Sequence, residues 1–176
     1  LELDLMGVRG IRFNLVRGGS ESVRHLDTMA RRVHEVAGWH TELYVDSSEL
    51  AGLEPVLRSL PAISIDHLGG SCAGFPDLLR LAETGAKVKA SGFGRVDFDV
   101  ATALRDLYSA NPASLMFGTD LPSTRAARPY SESDLQLVIN TLGDIGAKRV
   151  LYQNAVEFYR SGVQLAAHQQ KRASGH

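Results

Sequence analysis

The chain has 176 residues, which is enough for one domain with a sizeable core. Its 44% hydrophobic and 22% charged residues are typical of a globular protein, and its net charge of -1 argues against a nucleic-acid partner. The single cysteine, Cys72, excludes an internal disulfide framework and favours a reducing, cytoplasmic location. No apolar run reaches the roughly 18 residues of a membrane span, so we expect no membrane association.

Short strand-like runs alternate with amphipathic stretches along the chain. Ser20 is the expected N-cap of the first long helix and Gly38 its stop, while Pro76 and Gly85 bound the third helix. In chain order we predict a strand at 7–15, a helix at 20–38, a strand at 40–46, a helix at 48–57, a strand at 62–66, a helix at 76–85, a strand at 87–92, a helix at 97–109, a strand at 114–118, and helices at 131–143 and 147–160.

This alternation predicts βαβ units and a parallel sheet of five or six strands. Part of a (β/α)8 barrel and an open doubly wound sheet both fit the pattern, because periodicity alone does not separate them. No linker interrupts residues 1–162, which we treat as one domain. Residues 163–176 are polar, and we expect a frayed C-terminal tail there.

Polar side chains collect where the predicted strands end. In either architecture ligands bind at the carboxyl ends of parallel strands, so these groups are expected to meet at one rim. An imidazole, carboxylates and guanidiniums that converge in this way suit a hydrolytic site. The residues concerned are Arg12 and Asn14, Glu42 and Tyr44, Asp66 and His67, Ser91 and Arg95, and Thr119 and Asp120.

Each candidate also has a purely structural interpretation. His67 could be a buried histidine hydrogen-bonded to a neighbouring carbonyl, and Asp120 could cap a turn. Arg12 and Arg95 could be surface ion-pair partners, and Tyr44 could serve packing. The double glycine at 69–70 is not a phosphate-binding loop, because the GxGxxG order is absent, and we expect it to permit a sharp turn.

Five segments in a fixed order carry a family resemblance, and they span residues 1–160. The chain resembles the amidohydrolase superfamily (amidohydrolase 2 type), in particular the 2-pyrone-4,6-dicarboxylate lactonase-like branch. The resemblance implies a distorted parallel (β/α)8 TIM barrel. The segments read GVRGIRFN, IDHLGG, VKASGFGR, FGTDLP and YQNAVEFY.

The resemblance implies that Asp120 is the general base that activates water and that His67 helps to polarise the scissile carbonyl. It further implies that Arg12 and Arg95 bind substrate carboxylates and that Tyr44 hydrogen-bonds the substrate. Arginine suits this task because its guanidinium fork binds carboxylates in a bidentate way. The expected substrate is a small carboxylated lactone or cyclic ester, and no cofactor is expected.

Two positions depart from the pattern of the branch. Members often carry a further arginine after the GxRGxRF motif, and Arg17 stands near the comparable place as a candidate for substrate binding. Leu121 follows the aspartate where tryptophan is frequent. Both departures bear on the identity of the substrate and not on the class of enzyme.

The first strand of the superfamily carries an HxH motif, and this sequence contains none. Because a (β/α)8 barrel typically needs about 250 residues, we expect an incomplete barrel here, about strands 3–8. One alternative is a metal-dependent amidohydrolase or decarboxylase, in which His67 and Asp120 would be metal ligands to one zinc or manganese ion. Another is a catalytically inactive fragment or binding module. A small substrate is the only expected partner, and the oligomeric state stays open.

Overall fold

The computed structural model describes residues 2–159, so the predicted tail at 163–176 lies outside the described residues. No helix within 2–159 combines the length and apolar character needed to cross a bilayer. The strands are Gly10–Asn14 (β1), His40–Tyr44 (β2), Ile63–Ile65 (β3), Lys87–Ala90 (β4) and Leu115–Phe117 (β5). The helices are Glu2–Leu5 (α1), Leu26–Ala37 (α2), Leu50–Leu57 (α3), Phe75–Glu83 (α4), Val100–Ala110 (α5) and Glu132–Lys148 (α6).

The sheet is parallel throughout, and its strands lie in the order β1-β2-β3-β4-β5. A doubly wound sheet reverses its strand order near the middle, whereas a barrel adds each strand beside the previous one. The sequential order therefore decides against the doubly wound alternative and agrees with part of a (β/α) barrel. Within 2–159 the strands number five, and the predicted assignment to barrel positions 3–8 stays a prediction.

One face of the sheet carries the apolar core. Each strand contributes a side chain to a row that runs across the sheet in register, and every member is at most 1% exposed. The helices cover this row, and burying a side chain of this size contributes about 1.5–3 kcal/mol. The row consists of Phe13, Leu43, Ile65, Val88 and Leu115.

The opposite face is polar. Because side chains alternate along a strand, Arg12, Glu42 and Lys89 point away from the apolar row, and Arg12 pairs with Glu42 in the β1–β2 register. Ser64, fully buried, pairs with Glu42 in the β2–β3 register. In a closed barrel this face would line the interior, and here it forms the floor of the site described below.

The first long helix begins later than predicted. Ser20 is not its N-cap: the Ser20 hydroxyl accepts the backbone N–H of Asn14 at 2.7 Å and so closes the loop after β1. A short turn over Val23–His25 follows, and α2 begins at Leu26, which is 1% exposed. The predicted stop at Gly38 is confirmed, since Gly38 adopts the left-handed conformation of a C-cap.

The last two predicted helices are separated at Gly143. Its φ of 65° and ψ of 175° are not helical, so the helix that begins at Glu132 breaks where the predicted helix 131–143 ends. The second helical run passes through a wide turn at Arg149–Gln153 and continues over 154–159, and this last segment is called the C-terminal helix. Asn154, its first residue, is fully buried, and its amide donates to the carbonyls of Pro112 and Leu115 at 2.9 and 2.8 Å. These two bonds attach the C-terminal helix to β5.

Candidate functional site

A cavity of about 280 Å³ opens where the strands end. Residues that follow β3, β4 and β5 form one wall, the polar face of the sheet forms the floor, and the C-terminal helix closes one side. Its size suits a molecule of metabolite dimensions, at the lower end of ligand pockets. The lining residues are Arg12, Glu42, Asp66, His67, Lys89, Ser91, Met116, Phe117, Gly118, Asp120, Ala155 and Tyr159.

Four charged side chains form a continuous network on the cavity floor. The Arg12 guanidinium bonds Asp66 through Nη2 at 2.5 Å and Glu42 through Nε at 2.8 Å. The Lys89 ammonium bonds Glu42 and lies 3.3 Å from the other oxygen of Asp66. Two cations thus balance two carboxylates, and Asp66 is only 2% exposed.

A histidine and a carboxylate face each other beside this network. His67 Nε2 lies 3.7 Å from Asp120 Oδ1. The other oxygen of Asp120 accepts a 2.7 Å hydrogen bond from Arg95 Nε, and Arg95 also donates to the carbonyl of Thr124. Arg95 therefore fixes the orientation of the carboxylate so that Oδ1 points towards the imidazole.

The backbone at both residues is strained. His67 has a φ of 52° and Asp120 a φ of 58°, in the left-handed region that residues other than glycine seldom adopt. Leu68 also has a positive φ, and the double glycine at 69–70 continues it, so the predicted sharp turn is confirmed. Such positions cost on the order of 1–3 kcal/mol each and cluster at active sites.

Burial and neighbouring charges shift the pKa values of the ionisable groups. Burial lowers the pKa of His67, although Asp66 and Asp120 oppose this effect, so the imidazole is neutral at neutral pH. The pKa of Lys89 is raised overall. Burial alone would lower it, but the nearby carboxylates of Asp66 and Glu42 outweigh that effect. The charged ammonium form of Lys89 is therefore favoured over the neutral amine.

The structure brings together most of the residues that the sequence singled out. Arg12, His67 and Asp120 line the cavity, and Arg95 contacts it through Asp120. Tyr44 stands against His67, with ring centroids 5.1 Å apart and planes at 86°. Their roles in binding and catalysis stay predictions.

Two guanidiniums flank the ring of Tyr44. Arg12 lies 5.4 Å and Arg17 5.9 Å from the ring centroid. Arg17 is exposed and lies outside the cavity lining, yet the aromatic ring holds its cation next to that of Arg12. Tyr44 thus holds a second guanidinium, that of Arg17, beside the guanidinium of Arg12.

Two polar cavity residues, Lys89 and Tyr159, are not among the candidates taken from the sequence. A signal was available for Lys89, because it shares one face of the KVKAS alternation with Lys87 and Ser91. Nothing local distinguishes Tyr159, which the C-terminal helix delivers to the cavity.

A larger groove, about 580 Å³, lies away from this chemistry, between the segment after β1 and helix α3. Its lining is mostly apolar, and of its two carboxylates Asp46 already accepts the N–H of Ser48 as a helix cap. It holds no histidine or cation, so the smaller polar cavity is the better candidate site. The groove is lined by Leu15, Val16, Val23, Val45, Asp46, Glu49, Gly52 and Leu53.

The donor groups of the site do not by themselves fit a metal ion. No group of three or more His, Cys, Asp or Glu side chains within 2–159 could hold one. His67 and Asp120 would supply two ligands, whereas zinc usually takes at least three from the protein. Both oxygens of Asp66 are already engaged by Arg12 and Lys89.

Comparisons with known proteins agree with this architecture. The family model described as Amidohydrolase matches residues 2–161. An apo crystal structure of an Agrobacterium tumefaciens protein is similar with a TM-score of 0.72 and 24% identity over 90% of this chain. An amidohydrolase 2 from Bifidobacterium longum subsp. infantis is similar with a TM-score of 0.55 and 21% identity over 73% of the chain. At such identities the two structures support the fold alone.

This chain spans 63% of the Agrobacterium tumefaciens chain and 52% of the Bifidobacterium longum chain. The comparison with curated proteins gave no match.

Proposed function

Since this chain belongs to the amidohydrolase family, we propose that the polar cavity is a hydrolytic site for a small lactone or related cyclic ester that carries carboxylates. The observation that carries the proposal is the 3.7 Å separation of His67 Nε2 and Asp120 Oδ1. Two atoms at this distance can contact one attacking water and the carbonyl that it attacks. General base catalysis requires this proximity before it requires any particular pKa.

In this proposal Asp120 is the general base. Its Oδ1 accepts a proton from water, and the resulting hydroxide adds to the carbonyl carbon of the substrate. Arg95 holds Oδ2 at 2.7 Å and so restricts rotation of the carboxylate. Arg95 thereby acts on the substrate through Asp120, in addition to any direct contact with a substrate carboxylate.

His67 polarises the carbonyl on the other side of the water. A neutral imidazole is suited to donate one hydrogen bond to the oxygen on which negative charge develops. Burial keeps the pKa of His67 lowered, and the ring is therefore uncharged when substrate arrives. When the tetrahedral intermediate collapses, the bond between the carbonyl carbon and the ring oxygen breaks, and the ring oxygen takes the proton held by Asp120. The lactone is then open and the Asp120 carboxylate is restored.

The guanidiniums of Arg12 and Arg17 recognise the substrate carboxylates. Arg12 uses Nε and Nη2 for Glu42 and Asp66, and its side chain is still 44% exposed. Arg17 makes no ion pair with a carboxylate in the described part of the chain, so it is available to an anion. We therefore expect weak affinity for neutral lactones and better affinity for carboxylated ones.

Turnover of a panel of pyrone and lactone carboxylates, followed by loss of ring absorbance, tests the proposal. Asp120→Asn should lower kcat by at least a factor of about 100, since general base catalysis contributes 10²–10⁴. Asp144→Asn makes the same chemical change at an exposed position of α6 and should leave turnover unchanged. Equal rates for the two variants would contradict the assignment of Asp120.

A metal-dependent hydrolase or decarboxylase is the second candidate. The proximity of His67 to Asp120 favours it as well, because two side chains that bind one metal ion also lie close to each other. The turnover assay separates the candidates when it is repeated with a chelator and with added zinc or manganese. Activity that survives the chelator supports the first candidate. Activity that needs the ion supports the second. Binding of the lactones without turnover under either condition would favour a binding module and contradict both.

A further inference from the structure

The imidazole of His67 is held on the side that faces away from Asp120. Its Nδ1 lies 3.0 Å from the hydroxyl oxygen of Ser91, a hydrogen-bond distance, and the two residues are 7% and 4% exposed. The ring edge of Tyr44 and the backbone at Gly92 pack against the same imidazole. The ring therefore has one orientation, with Nδ1 on Ser91 and Nε2 towards the cavity.

Either tautomer could make this bond, but the two differ in what they leave unsatisfied. If the Nδ1–H donated to Ser91, the buried hydroxyl would need another acceptor for its own proton. The hydrogen bonds of residues 2–159 offer Ser91 Oγ no partner besides His67. If the hydroxyl donates to an unprotonated Nδ1, its proton is satisfied and no buried donor is left over.

We infer that Ser91 is a positioning residue that sets the tautomer of His67, so that Nε2 carries the proton and presents it to the cavity. The Nε2–H is then a fixed hydrogen-bond donor at the place where the carbonyl oxygen of the substrate is expected. The use of this donor in catalysis rests on the proposed function, whereas the tautomer itself does not.

This tautomer also bears on the second candidate function. A metal ion at Nε2 would need the lone pair of that nitrogen, and a ligating histidine usually donates its other N–H to an acceptor. The arrangement around Ser91 has the opposite polarity. The tautomer therefore separates a hydrogen-bonding His67 from a metal-ligating one without any measurement of activity.

Long-range ¹H–¹⁵N correlation spectra of the ¹⁵N-labelled chain at neutral pH test the inference. The resonances of His67 are identified by their loss in His67→Gln. We expect the pattern of a neutral ring with Nε2 protonated and Nδ1 not. A spectrum with the proton on Nδ1 would overturn the inference, whatever the activity of the protein.

Ser91→Ala then tests the cause. Without the hydroxyl donor, the Nδ1 resonance should move towards that of a nitrogen without a hydrogen bond, and the Nδ1–H tautomer should become populated. Ser91→Thr keeps the hydroxyl and should restore the original spectrum, and Ser109→Ala, an exposed serine of α5, should not alter it. Unchanged His67 resonances in Ser91→Ala would overturn the role of Ser91.

Two further measurements keep the test decisive. Circular dichroism reports whether Ser91→Ala folds. If it does not, Ser91→Cys replaces it: the thiol is of similar size and a weaker donor, so the His67 resonances should change in the same direction but less. The turnover assay tests the proposed function separately from the tautomer. A protein that shows the expected tautomer but hydrolyses no lactone contradicts the proposed function and leaves the tautomer assignment unchanged.

Discussion

Replacing Lys89 by methionine tests whether the ion pairs on the cavity floor stabilise the sheet. The ammonium bonds Glu42 and lies 3.3 Å from Asp66, which is 2% exposed. Methionine keeps most of the apolar stem but leaves one cation, Arg12, against two carboxylates. Loss of one partner of a buried ion pair costs about 3–5 kcal/mol. Because the Lys89 side chain is 21% exposed, we expect the lower figure, about 3 kcal/mol.

Urea unfolding followed by circular dichroism measures this loss. Lys87→Met is the matched control on the same strand and face, because Lys87 donates to the carbonyl of Ala113 at 2.7 Å. That substitution removes one hydrogen bond and should cost about 1 kcal/mol. Equal losses in the two variants would refute the electrostatic reasoning. A double variant that adds Glu42→Gln to Lys89→Met should lose less than the sum of the two single changes, by about 1 kcal/mol or more.

Two further predictions concern the pH dependence of stability and a glycine beside the imidazole. Burial, with a contribution from Lys89, lowers the pKa of His40 from 6.5 to about 4. Since the unfolded chain binds this proton more readily, stability should fall as the pH drops from about 6.5 towards 4, by up to about 3 kcal/mol, and His40→Gln should remove that part of the slope. Gly92 has a φ of 61°, and a Cβ there would lie 2.7 Å from His67 Nδ1. Gly92→Ala should therefore cost about 2 kcal/mol and shift the His67 resonances.

Each of these has its own control. Stability curves of the wild type and His40→Gln that stay parallel across the acidic range would contradict the pKa argument for His40. Gly52→Ala serves as the control for Gly92→Ala, because Gly52 lies within α3 and a Cβ there would meet nothing within 4 Å. It should be neutral or stabilising by up to about 1 kcal/mol. A Gly92→Ala variant as stable as Gly52→Ala would show that the turn accommodates a side chain.

The elements of the fold could be read from the sequence because each depends on neighbouring residues. The alternation of strand-like and helical runs along the chain predicted all five strands of residues 2–159. Glycine and proline marked several helix ends. The N-cap at Ser20 was wrong for a physical reason. A serine hydroxyl caps whichever backbone N–H is near, and here that group belongs to Asn14 at the end of β1.

Local patterns also predicted that polar groups follow each strand, and this put His67 and Asp120 at one rim. They could not determine strand order. A barrel-like sheet and a doubly wound sheet share the same periodicity, and only the sequential pairing of β1 through β5 separates them.

The partners of each charge were decided by the tertiary structure alone. Arg12 and Asp66 are 54 residues apart in the chain, and Lys89 and Glu42 are 47 apart, yet each pair meets on the cavity floor. The sequence therefore indicated which groups at the strand ends reach the rim, because alternation and strand ends are local properties. Which groups neutralise one another, which nitrogen of His67 meets Ser91 and which cation stays open to a substrate depend on strand register and packing, which no local pattern records.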